Sequence, residues 1–285
     1  GDGTWPSTYA GQTVTTGGIV TVANYNGGRY FISSSNGGAW NGLFIYDNTN
    51  APEVGDSIII TGLVYEYNGM TEIKDVTSFD VISSGNPLPH ATNIATSAVT
   101  DEAYEGVLVQ VSNVNVSQAF DEYDNWSVDD GSGACSIRSG IYNLSNEGFP
   151  LFEGYSFATV KGIVTDYYGQ CLLPRYRADI QSAPEAFVLY TNDQYVDQSG
   201  LLELPLKVAV LNQTSDISTY ALSMTYDASV VAYQGFEKSG TLSETGSVTD
   251  NSTEGSINLT FSGDVTCNDV MTLIKMKFSA VSDGA

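Results

Sequence analysis

Thr61-Gly62-Leu63-Val64-Tyr65-Glu66-Tyr67-Asn68-Gly69 returns a hundred residues later as Lys161-Gly162-Ile163-Val164-Thr165-Asp166-Tyr167-Tyr168-Gly169, with glycine at the same two places. Ile58, Ile60, Gly62 and Val64 fall on one side of the first copy, a period of two that marks a β-strand. Recurrence at a fixed distance marks a duplicated unit. What recurs is apolar alternation and glycine rather than chemically active groups, so the repeat specifies a fold before it specifies an activity.

Around the first copy, strands are expected at 13–22, 29–33, 42–46, 57–67 and 71–74 leading to 79–81, separated by Gly/Asn turns. Five short strands hide their edges most economically by closing, which predicts an OB-type five-stranded barrel over 1–84. Residues 85–100 open on Gly85-Asn86-Pro87-Leu88-Pro89-His90, lack periodicity and read as a stiff linker. A second barrel is expected over 101–183: Val107, Val109 and Val111 alternate like Val14 to Val22, and Phe152-Glu153-Gly154 matches Glu53-Val54-Gly55. Its further strands are read at 126–128, 134–138, 155–167 and 171–180.

Several stretches carry a family likeness. Thr13-Val14-Thr15-Thr16-Gly17-Gly18-Ile19-Val20-Thr21, Trp40-Asn41-Gly42-Leu43-Phe44-Ile45-Tyr46-Asp47 and Trp126-Ser127-Val128-Asp129-Asp130-Gly131 resemble the bacterial extracellular OB-type domains found beside secreted nucleases and in surface proteins. The likeness covers about residues 5–182 and implies accessory modules rather than an active site. Over 184–285 the alternation of Leu202 to Val210, the stretch Tyr226-Asp227-Ala228-Ser229-Val230 and the ending Leu273-Ile274-Lys275-Met276-Lys277-Phe278 resemble a cohesin-like, Ig-like β-sandwich. That resemblance implies protein recognition and predicts one more strand after Ala285. The fold class expected for the chain is therefore all-β, two barrels and a sandwich.

Ten basic against 33 acidic residues give a net charge of −23, which repels polyanions, so nucleic acid is an unfavourable partner. The acidity fits solubility outside the cell or occupancy of some carboxylates by calcium, and no motif calls for another cofactor. No run of about 18 apolar residues marks a membrane span. The chain has neither a Met start nor a signal peptide, so a mature or excised segment of a secreted bacterial protein, extracellular or on the cell surface, is expected.

His90 is the only histidine and sits among prolines, which argues against imidazole-based catalysis. Paired carboxylates would need one acid in an apolar pocket, and no pattern in the barrels marks one. Asp121, Asp124, Asp129 and Asp130 crowd one turn-rich hairpin where oxygen ligands could converge on calcium or simply cap turns. Trp40, Tyr67, Tyr123, Trp126, Tyr167 and Tyr168 fall near strand ends, where OB barrels stack flat ligands or where rings fill a core. Arg175 and Arg177, two apart on one strand with Arg138 on a neighbour, form the one local basic patch, facing either acids of the chain or an anionic partner group. The same strand pairing predicts a Cys135–Cys171 disulfide, leaving Cys267 as a buried thiol or an intermolecular link.

Two functions follow as expectations. One is a non-catalytic structural or binding protein making protein or glycan contacts, with self-assembly through strand exchange or edge pairing included. The other is the accessory substrate-binding region of a larger secreted nuclease or polysaccharide hydrolase.

Overall fold

The computed structural model describes residues 6–166, 169–184, 186–194 and 200–281. The chain divides into two compact units, 1–183 and 184–285. In the first, β1 (Thr13–Tyr25), β2 (Arg29–Ser33), β3 (Gly42–Ile45), β4 (Ser57–Tyr67) and β5 (Met70–Ser83) close in the order β1-β2-β3-β5-β4, with β3 and β5 parallel and the other neighbours antiparallel. The second copy adds β6 (Thr92–Asn93), β7 (Leu108–Gln118), β8 (Trp126–Asp129), β9 (Cys135–Ile137), β10 (Ser156–Asp166), β11 (Gln170–Leu173) and β12 (Ile180–Ser182). Its order β7-β8-β9-β11-β10 closes through β10 and β7, again with one parallel pair, β9 and β11. Two OB-type barrels are thus observed.

The recurring glycine is the barrel corner. A Cβ on Gly62 would lie 2.5 Å from Ile73 Cγ2 and 2.8 Å from the Lys74 carbonyl; on Gly162 it would lie 2.4 Å from the Leu173 carbonyl. At Gly62 the pairing with β5 slips register, and next to Gly162 the partner of β10 changes from β12 to β11. Only a residue without a side chain lets the strand bend this sharply against its neighbour. The copies differ past the bend: β5 runs unbroken, whereas Pro174 cannot donate to a ladder and the chain turns through a short 3-10 segment, Arg177–Asp179, before β12.

Each barrel has its own core, Tyr30, Ile45, Ile58, Ile60 and Ile73 in the first. A separate cluster joins them: Val22, Phe31, Phe44 and Met70 of the first barrel pack with Leu108 and Ile163 of the second, all buried. At 1.5–3 kcal/mol for each large apolar side chain, this joint contributes on the order of 10 kcal/mol before entropy is counted. The expected linker is shorter than the sequence suggests. Thr92–Asn93 pairs with β7, and the 3-10 turn Thr96–Thr100 packs on β8, β9 and β11 with Thr96 and Val99 fully buried.

The second unit is a sandwich. β13 (Val188–Tyr190), β14 (Leu201–Ala209), β19 (Met271–Ala280) and β16 (Val231–Glu237) form one sheet; β15 (Ser215–Thr225), β18 (Ser256–Cys267) and β17 (Ser247–Asp250) form the other. Val208, Ile257, Leu259, Ile274 and Met276 fill the space between, and Tyr220 stacks on Phe261 at 4.9 Å. The additional strand expected after Ala285 lies outside the described residues, as do Tyr167 and Tyr168.

Candidate functional site

The local hydrogen bonds of the two copies expose an equivalence. Gly11 N–H donates to the Val64 carbonyl at 2.9 Å, and Gly106 N–H donates to the Val164 carbonyl at 2.8 Å. Val64 N–H donates to Gln12 and Val164 N–H to Val107; Ala10 N–H donates to Ser7 and Glu105 N–H to Glu102. Tyr9-Ala10-Gly11 is therefore the counterpart of Tyr104-Glu105-Gly106, and Glu105 stands where the first copy has alanine.

The Glu105 side chain reaches across to the first barrel. Its Oε1 accepts from the Thr71 N–H at the start of β5, 2.8 Å away, while its Oε2 is shielded from solvent and has no hydrogen-bond partner. Burial pushes its carboxyl up to about 8, and the negative charges of Glu102, Glu66 and Asp166 add to the rise against the opposing Thr71 bond. Near neutral pH it is largely a carboxylic acid, a donor as well as an acceptor.

This acid lines a cleft of about 660 Å³ at one end of the first barrel, walled by Tyr9, Thr16, Trp40, Asn41, Glu102 and further hydroxyl and aliphatic groups of β1 to β5. Trp40 is 42% exposed and sits at φ 64°, a left-handed conformation that costs a bulky residue on the order of 1 kcal/mol or more. Two contacts hold it there. Its N–H donates to the Ala103 carbonyl at 2.6 Å, and Gly42 meets Gly106 backbone to backbone, so closely that a Cβ on Gly42 would lie 2.1 Å from the Gly106 carbonyl carbon. The first copy supplies the platform and most of the wall, and the second supplies the acid.

Of the other residues singled out in the sequence, few reach this cleft. Trp126 is buried and packs on Phe157 at 5.3 Å, a core residue rather than a platform. Tyr123 is exposed on the β7–β8 loop, and Tyr67 is exposed at the end of β4. The arginine patch is corrected: Arg175 and Arg177 do not share a strand, because Pro174 ends β11. Arg175 makes two 2.9 Å contacts to Asp179, both side chains buried, and Arg177 faces Glu147 at 3.7 Å. Arg138 follows β9, its N–H donating to the Leu172 carbonyl.

In the acidic hairpin the carboxylates are engaged within the chain, mostly as turn caps, one of the two arrangements expected there. Asp121 accepts from the Tyr123 and Asn125 amides, Asp129 from Gly131 and Gly133, Asp130 from Thr96 and Ser132, and Asp124 from the Asn143 amide side chain. Among the described residues no three His, Cys, Asp or Glu side chains come together as a metal site. The Cys135–Cys171 disulfide is overturned too, for all three cysteines are free and buried. Ile137 pairs with Leu172, so Cys135 shares a face with that pair while Cys171, one residue from Leu172, points to the other face. Burial pushes both thiols up to about 12.

No known family model matches the chain, and no curated protein matches it in sequence. Fold and cleft define a class by architecture: an all-β protein of two joined barrels and a sandwich, with one cleft assembled from both barrels. Among the described residues no helix is long and apolar enough to cross a membrane.

Proposed function

We propose that this chain is a non-catalytic, extracellular or cell-surface binding protein of a secreted bacterial kind, whose joined barrels capture a ligand in the cleft below Trp40. The observation that carries the reading is the composite cleft. An aromatic ring is held in a strained backbone conformation, and an acid absent from the equivalent position of the first copy lines the same space, its second oxygen buried without a partner. Strained backbone and unpartnered buried polar atoms concentrate at binding sites. The resemblance to extracellular OB-type and cohesin-like domains supports the same assignment and its location. An accessory role within a larger secreted enzyme uses this cleft in the same way, and the charge of −23 favours a glycan or protein over nucleic acid.

Immobilised glycans and proteins probed with wild type and Trp40→Ala test the reading. Captured ligands should be lost or weakened in the variant. Equal binding by both proteins removes the cleft from the function, and release of new reducing ends from a bound glycan refutes the non-catalytic assignment.

A further inference from the structure

Resting on the cleft as the binding site, we propose that its ligand is a basic segment of a protein partner, one lysine or arginine of which lays its aliphatic stem along the cleft wall and its cationic head between the Trp40 ring and the Glu102 carboxylate. Both residues line the cleft, and the bond from the Trp40 N–H to the Ala103 carbonyl ties the residue after Glu102 to the backbone that bears the indole. Three neighbouring carboxylates are already committed: Asp101 accepts from the Ala103 N–H, Glu66 from Ser7 and Thr71, and Glu105 from Thr71. No described group hydrogen-bonds to the half-buried Glu102 carboxylate, and neither of its oxygens is sealed from solvent as Glu105 Oε2 is. Among the described residues the lining holds no lysine, arginine or histidine to answer it. An open carboxylate in the same cleft as an exposed indole and phenol, Trp40 and Tyr9, is a setting in which a cation gains from ring face and charge together.

The rest of the wall selects the kind of cation. Val14 and Leu43 are half-buried aliphatic groups of the lining, and the methylene stem of lysine or arginine covers such surface while its head stays in polar contact. An amino sugar carries its ammonium on a hydroxylated ring and has no such stem, and a lone small cation leaves most of the 660 Å³ unfilled. Thr8 and Thr16 add hydroxyls that can bond to peptide groups on either side of the anchoring side chain. Glu66, Asp101 and Asp166 bear on Glu102 with like charge, so an entering cation relieves a repulsion that an acidic segment would increase. At longer range the net charge of −23 steers basic partners toward the chain.

Tryptophan fluorescence and calorimetric titration of the full chain near neutral pH test this with a short Gly/Ser peptide carrying lysines, with its arginine, acetyl-lysine and glutamate counterparts, and with neutral and amino-sugar oligosaccharides. The lysine and arginine peptides should bind, and the acetylated and glutamate peptides should bind at least about tenfold more weakly. Trp40→Ala and Glu102→Gln should each weaken lysine-peptide binding about fivefold or more, the size of one cation–π or half-buried charge contact. Glu153→Gln removes the same unit of charge from an exposed site outside the cleft and should bind within about twofold of wild type.

Trp40-dependent binding confined to oligosaccharides or to the acetylated or glutamate peptides overturns the proposal and leaves the cleft as a binding site. So does Trp40-dependent binding of the lysine peptide that changes equally in Glu102→Gln and Glu153→Gln, since net charge alone then accounts for the preference. Binding of every probe that ignores Trp40→Ala, or no binding by wild type at millimolar concentration, overturns both. Unchanged far-ultraviolet dichroism and burial of all three thiols in each variant establish that a loss of binding is not a loss of fold.

Discussion

Glu105 should make the barrel unit less stable as pH rises, and the size of the effect follows from its surroundings. In the unfolded chain its carboxyl ionises near the ordinary 4.5; in the fold it holds its proton to about 8. Below about pH 4.5 both states are protonated and the group is neutral to stability. Between the two values the folded state binds the extra proton, so unfolding stability falls with pH, and above about 8 the full cost is present. At about 1.4 kcal/mol per pH unit the interval amounts to on the order of 5 kcal/mol, an upper bound that relaxation of the joint will reduce. Glu105→Gln keeps an acceptor for Thr71 and removes the charge. It should match wild type near pH 4 and exceed it by about 2 kcal/mol or more near pH 9. All three tryptophans, Trp5, Trp40 and Trp126, precede residue 184, so urea unfolding followed by fluorescence reads the barrel unit. Parallel pH profiles of the two proteins, or a variant less stable at high pH, would refute the assignment of Glu105 as a buried acid.

Gly42→Ala should separate the barrels, because no methyl group fits 2.1 Å from the Gly106 carbonyl carbon; a loss of at least about 2 kcal/mol in the same urea assay is expected. Arg175→Ala leaves Asp179 buried without its partner and also removes the 3.5 Å contact to the Thr21 carbonyl of the first barrel, for an expected loss of about 3–5 kcal/mol. The native protein should be unreactive to a thiol reagent, with three thiols titrating after denaturation, and its melting temperature should not respond to reductant.

The strands were largely legible in the sequence because barrel strands with one buried face announce themselves by a period of two; β2 and β4 match their predicted bounds, and the bend at Gly62 and Gly162 shows through the repeat. β16 and β17 were lost in a Gly/Ser/Thr-rich stretch whose inward residues are only half buried, so alternation is weak there. The disulfide failed on parity, since proximity of two strands does not say which face a residue one position along will take. The shared strand of Arg175 and Arg177 stops at Pro174, while the expected pairing with acids of the chain is present through Asp179 and Glu147. Glu105 was legible in principle: Tyr9-Ala10-Gly11 against Tyr104-Glu105-Gly106 aligns at a spacing of 95, not the hundred that relates β4 to β10, and the gap of five residues hid the one substitution that matters. The cleft itself could not be read, because its walls come from both copies and meet only when the barrels dock.

The shared cluster of Val22, Phe31, Phe44, Met70, Leu108 and Ile163 gives the duplication a direction. A domain copied as an independent bead keeps its surface polar on all sides; here each bead has an oily flank that only its sibling covers. The two halves meet as the subunits of a heterodimer do, within one polypeptide. Across that shared flank one half lends the other an acid: Glu105, where the first copy has Ala10, accepts the Thr71 amide of the first barrel.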